Sequence, residues 1–213
     1  MEAVFWHNRW SERRIGFHLP QANPLLIKHW PTLEIEPNTP VFVPLCGKSQ
    51  DMIWLMQQGH PVQGVELSRT AIEEFDQENS LQGSWSVVDG INCYQAGTLQ
   101  IWHSDFFALS QSHTGPVDAV FDRAALIALP AQMRKRYCQH LELLASSHCK
   151  QLLICLEYEQ AKREGPPFAV LEDEVATLYS RWHRTLLSKT NIEDKQPPSV
   201  DSVHLLRRHG DLS

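Results

Sequence analysis

The stretch VFVPLCGKSQD, residues 41–51, decides how this chain is read. Its end, Gly47-Lys48-Ser49, matches the close of a phosphate-cradling P-loop. Such a loop needs a glycine five positions before the Gly-Lys pair, so that its amides can wrap the phosphates. Phe42 stands there, which argues against a nucleotide triphosphatase. A strand, a tight turn and a helix remain. Val41-Phe42-Val43 reads as a short buried strand and Gly47 as the turn. Residues 49–58 carry Met52, Ile53, Leu55 and Met56 at helical spacing.

Working outward, the alternation of strands and helices continues. Gly59 caps the first helix. Residues 62–67 form a second strand, and Ser68 caps a helix over 69–79 that turns Ala71, Ile72 and Phe75 inward. Further strands fall at 99–103, 117–121 and 151–156, with a helix over 131–147 between the last two. After Gly165-Pro166-Pro167 come a helix over 171–182 and strands at 185–189 and 202–207. Residues 80–98 are patterned less clearly, with 85–88 as a candidate extra hairpin strand.

The expected fold is α/β: a doubly wound, mostly parallel seven-stranded sheet with helices on both faces, plus an N-terminal helical extension. Residues 1–38 form that extension, a tryptophan-rich aromatic segment with a short helix over 22–30 started by Asn23 and Pro24. Residues 39–213 form the α/β catalytic part, and the whole makes one structural domain.

Composition excludes several classes. The 213 residues carry 19 Lys and Arg against 25 Asp and Glu, a net charge of −6, so no general nucleic-acid partner is expected. The five cysteines have no CxxC spacing and the histidines form no HxxxH pair with a helical glutamate, so no metal site is expected. No apolar run reaches membrane length and no secretory leader opens the chain, which points to a cytoplasmic protein. Size and charge permit a monomer.

In open α/β sheets, ligands bind beyond the carboxyl ends of the strands. Glu66 ends the second strand, about twenty residues past the Gly47 turn, where an acid can accept both hydroxyls of a ribose. The other reading is a carboxylate capping the next helix. Asp105 ends the third strand, where it can meet an adenine amino group while Phe106 flanks the ring; a plain loop cap is the alternative. The single-glycine turn is poorly suited to a pyrophosphate. It favours S-adenosyl-L-methionine over NAD, because the ribose acid is kept and no diphosphate has to be cradled.

These residues are part of a longer pattern. Trp6 with Arg9-Trp10, then Ile15-Gly16-Phe17-His18, VPLCGKS at 43–49, GVELS at 64–68, Asp105-Phe106-Phe107, DRAALIALP at 122–130 and GPPF at 165–168 occur in order. With them the chain resembles the bacterial-type thiopurine S-methyltransferases along essentially its whole length. The resemblance implies a class I S-adenosylmethionine-dependent enzyme that methylates the sulfur of thiopurines and aromatic thiols. Bacterial relatives are also associated with selenium and tellurium compounds. It further implies that Trp10 packs on the cofactor, Leu45 contacts it at the first turn, Glu66 binds the ribose and Arg123 lies at the fourth strand's end. After Trp182 the tail looks shortened and departs from the family pattern.

Arg123 is the candidate for orienting the acceptor, since its cationic fork favours a thiolate or holds a purine ring. An ion pair with Asp122, or a cofactor contact alone, is the alternative. Phe5, Trp6, Trp10 and Phe17 suggest a lid over the cofactor, or else staples to the core. Phe17 and Phe168 are candidates for the acceptor pocket, with a core anchor as the other reading of Phe168. The competing classes are a non-catalytic nucleoside binder and, more weakly, an NAD oxidoreductase.

Overall fold

The computed structural model describes residues 3–13, 18–193 and 196–208. Strand β1 (Val41–Val43) is buried throughout and lies between β2 (Val62–Glu66) and β6 (Val117–Arg123), parallel to both. β5 (Leu99–His103) continues the parallel block beyond β2, and β7 (Ala145–Glu157) continues it beyond β6. Two hairpins extend this five-stranded centre. β8 (Trp182–Ile192) and β9 (Ser199–Arg208) add an antiparallel pair beyond β7, and β3 (Ser84–Val88) with β4 (Ile91–Ala96) adds another beyond β5. The order is β3-β4-β5-β2-β1-β6-β7-β9-β8.

The expected seven strands are therefore nine. The first hairpin turns at Asp89-Gly90, both with positive φ (48° and 82°), the backbone that a two-residue hairpin turn requires. Gly97, with φ 58°, then passes the chain back into β5.

Seven helices accompany the sheet among the described residues: α1 (Ala3–Ser11), α2 (Pro24–His29), α3 (Gln50–Gln57), α4 (Arg69–Asn79), α5 (Gln111–Thr114), α6 (Ala131–Leu144) and α7 (Glu172–Leu178). Asn23, Ser49 and Ser68 accept backbone amides as caps of α2, α3 and α4. Two expected helices end early. α6 stops at Leu144 because β7 begins at once. α7 stops at Leu178 because Trp182 already pairs with Arg208 in the hairpin.

Strand alternation sets the two core layers. Val41 and Val43 face Leu26, Met52, Leu55, Ile72 and Phe75 from α2, α3 and α4. Phe42 faces the other way, toward Phe106, Tyr137 and Leu141, which include the α6 face. Each such buried large apolar side chain contributes about 1.5–3 kcal/mol. The strand order reverses between β1 and β6, and the carboxyl ends of β1, β2, β5, β6 and β7 open on one shared cavity.

Candidate active site

The turn after β1 is shaped by two left-handed residues, Leu45 (φ 47°) and Gly47 (φ 53°). The Cys46 amide donates to the Val65 carbonyl, which ties the turn to β2. Close approach of the two is possible because residue 64 is glycine: a Cβ there would lie 2.7 Å from Cys46 Sγ. Gly47 N–H is thereby aimed at Glu66, whose Oε2 accepts it at 2.8 Å, while Oε1 accepts Ser68 N–H at 2.7 Å. The carboxylate is 6% exposed and lines the cavity. Burial raises its pKa, and the backbone amides oppose that rise. The result is a carboxylate fixed in orientation, with lone pairs left for hydroxyl donors.

Lys48, the lysine of the P-loop-like ending, is buried, with Nζ 2.7 Å from Glu74 Oε2 and 2.6 Å from Glu78 Oε1. The two acids lie one turn apart on α4, on a single face. Burial pulls the lysine pKa down, and the two carboxylates more than reverse this. With its charge neutralised from within, Lys48 has no role as a phosphate ligand.

Arg123 ends β6 and is held by α3 rather than by its neighbour. Its Nε donates to Asp51 Oδ2 at 2.6 Å and its Nη2 to Ser49 Oγ at 3.1 Å. Asp51 is 1% exposed and also accepts the Asn23 amide at 2.7 Å. The alternative reading of Arg123, an ion pair with Asp122, is not what the structure shows. Adjacent strand residues point to opposite faces. Asp122 accepts Tyr137 Oη–H at 2.6 Å and the Leu126 amide on the far side, where burial pushes its carboxyl up to about 6. Sequence reasoning missed Asp51, although an acid in the first turn of α3 was a signal for it.

The other candidates distribute as follows. Asp105 lines the cavity, exposed, and accepts the Phe107 amide at 3.0 Å, so it serves as a turn cap in this state. Phe106 meets the cavity from within the core, against Phe42, Tyr137 and His140. Trp6, Arg9 and Trp10 occupy one face of α1 and line the cavity, with Trp10 only 4% exposed. Phe17 lies outside the described residues. His18 lines the cavity, and its buried Nδ1 has no hydrogen-bond partner among the described residues; burial and then Lys48 lower its pKa. Phe168 is not on the cavity wall. Its ring folds back over Gly165, where a Cβ would meet it at 2.6 Å, and lies under the Arg134 guanidinium. Pro166 and Pro167 face the cavity in its place.

The cavity measures about 670 Å³, a volume suited to a nucleoside-sized ligand with a second small molecule. Among the described residues no helix is long and apolar enough to cross a membrane. All five cysteines are buried free thiols.

Known proteins resemble this chain in sequence and in fold. The family model described as thiopurine S-methyltransferase matches residues 1–207. The thiopurine S-methyltransferase of Pseudomonas fluorescens (strain SBW25) is 46% identical over 90% of this chain and 88% of its own length. That of Bordetella petrii is 45% identical over 99% of this chain and 100% of its own. The departure expected after Trp182 is therefore corrected: the match continues to residue 207. Among solved structures, Burkholderia thailandensis 1,6-didemethyltoxoflavin-N1-methyltransferase, with 1,6-didemethyltoxoflavin and S-adenosylhomocysteine bound, superposes with TM-score 0.68 at 14% identity, covering 97% of this chain and 87% of that chain. Magnesium protoporphyrin IX methyltransferase of Synechocystis PCC 6803, with S-adenosylmethionine bound, gives 0.63 at 15%, covering 97% and 96%. At these identities the likeness is one of fold.

Proposed function

The chain belongs to the thiopurine S-methyltransferase family and is an S-adenosyl-L-methionine-dependent methyltransferase; from that premise we propose that it methylates the sulfur of thiopurines and aromatic thiols. The observation that carries the reading is the Glu66 clamp. A carboxylate held by the Gly47 and Ser68 amides fits the two ribose hydroxyls of the cofactor. The single-glycine turn beside it fits a ligand without a diphosphate. The cavity also extends past Arg123 and has room for an acceptor.

When bound, the cofactor supplies a methyl group already activated on a positively charged sulfur. The chain then has to align an acceptor sulfur in line with that methyl and keep water out, which can supply most of the acceleration. Aromatic thiols and thiopurines ionise far more readily than alkyl thiols, so no strong general base is needed. Leu45 and Glu66 would hold the donor, with Asp105 and Phe106 beside its base. Arg123, fixed in direction by Asp51 and Ser49, would orient the acceptor and favour its thiolate. Residues 1–38 would act as a lid over residues 39–213, with Trp6 and Trp10 excluding water from above.

The test is a methylation assay with labelled cofactor across thiopurines, aromatic thiols, selenite and tellurite. Transfer to sulfur is the expected result. Label moving only to selenium or tellurium would replace the acceptor class, and label moving to none of them would remove it.

A further inference from the structure

The cavity holds a cation that the reaction above does not use. Lys48 is neutralised by Glu74 and Glu78, and Arg123 is held by Asp51. Arg136 also lines the cavity but is exposed and stacked 4.0 Å over the Phe107 ring, beside Asp105, and Arg9 is engaged on α1; Arg163 differs from all four. It lies in the loop between β7 and α7, just ahead of Pro166 and Pro167, and lines the cavity half-buried. Its guanidinium stands 5.9 Å from the centre of the Tyr158 ring, and among the described residues no carboxylate is within ion-pair reach of it. The neighbouring Lys162 has its own partner in Glu159, and Asp201, the acid at this end of the cavity, is already engaged.

Position gives this cation its meaning. Glu66 ends β2, Arg123 ends β6, and the Arg163 loop follows β7, in the order β2-β1-β6-β7. Three strand spacings of about 4.8 Å put the end of β7, from which the loop departs, roughly 14 Å across the sheet from Glu66, on the far side of Arg123. The wall between is apolar: Ile127, Ile154, Leu156, Pro166 and Pro167. An apolar slot that ends in a guanidinium with no carboxylate partner suits a flat ring bearing an anionic group at its remote end. Arginine stays charged at any working pH and pairs with carboxylates through a planar fork.

We propose that Arg163 receives an anionic substituent of the acceptor, so that the site selects aromatic thiols carrying a carboxylate opposite the sulfur. The inference rests on the acceptor reading given above.

The test compares kcat/KM for 4-mercaptobenzoate and thiophenol in the full-length enzyme with S-adenosylmethionine. The wild type should favour the carboxylated thiol. In Arg163→Gln the ratio of the two values should fall about tenfold, mainly through KM, as expected for one charge-assisted hydrogen bond. Arg163→Lys should restore part of it, and Arg163→Glu should invert the preference. An unchanged ratio in Arg163→Gln overturns the proposal. If neither thiol is methylated, the acceptor reading fails instead. Calorimetry of 4-mercaptobenzoate on enzyme saturated with S-adenosylhomocysteine then decides for Arg163: binding about tenfold weaker in Arg163→Gln supports it, and equal affinity overturns it.

Discussion

The two halves of the cavity are built by different means. On the side of β1 and β2, backbone amides do the positioning: Glu66 is fixed by N–H groups two and nineteen residues away. On the side of β6 and β7, side chains do it. Arg123 reaches Asp51 across 72 residues of sequence, and Asp51 in turn reaches the amide of Asn23 across 28. A backbone clamp survives most substitutions around it, whereas a side-chain relay changes with any one of its members. Under the proposed function the first construction would hold the methyl donor and the second would face the acceptor.

The comparison can be broken by experiment, and the largest effect is expected at the lid. Removing residues 1–20 should abolish cofactor binding while leaving a cooperatively melting domain. Loss of the fold itself would make the aromatic segment a structural staple. Next comes Glu66→Ala, which removes an acceptor for two hydroxyls. Calorimetry should show cofactor affinity about 100-fold weaker, from two charge-assisted hydrogen bonds. Unchanged affinity would dissolve the clamp as a ribose site.

Arg123→Ala should leave cofactor affinity within about threefold and lower kcat/KM for thiols about 100-fold, the scale of one lost electrostatic donor. Asp51→Ala should follow it with a smaller loss of turnover. It should also cost about 2 kcal/mol of stability by denaturant unfolding, because it strands a cation that is only 13% exposed. If these variants weakened cofactor binding as much as turnover, the two halves would be one site and not two.

The smallest effect is one of pH. Asp122 holds its proton up to about 6 in the fold because it is buried, while an unfolded aspartic acid releases it near 4. Between about pH 4 and 6 the native state therefore binds more protons than the unfolded chain, and this group's contribution to stability falls as pH rises, then levels off. Relative to wild type, Asp122→Asn should gain about 2–3 kcal/mol between pH 4 and 7. Parallel stability curves for the two proteins would show that the carboxyl is not held protonated.

The same division explains what could be read from sequence. The place of Glu66 at the end of the second strand was legible because strand, turn and acid lie within one short stretch, and so was the block of parallel strands around it. The Asp51–Arg123 pair was not, because nothing local links the two positions. Nor was the burial of Lys48, which depends on α4 presenting Glu74 and Glu78 beside the first turn. Residues 85–88 were legible as a candidate hairpin strand, but the Asp89-Gly90 turn and the partner strand were not read, and the pair gains a place in the sheet only by pairing with β5. The two readings of Phe168 could not be separated in the sequence, because they turn on Gly165, at φ 77°, against which the ring folds back.

Gly64 has a consequence for how sequence variation in this protein should be weighed. It sits mid-strand, away from the cavity wall, and a ranking of positions by distance to the ligand would pass over it. Yet even an alanine there would crowd Cys46 Sγ, next to Gly47, whose amide holds the Glu66 carboxylate. If Glu66 holds the methyl donor as proposed, Gly64→Ala should weaken cofactor binding in calorimetry although no residue at the pocket is altered.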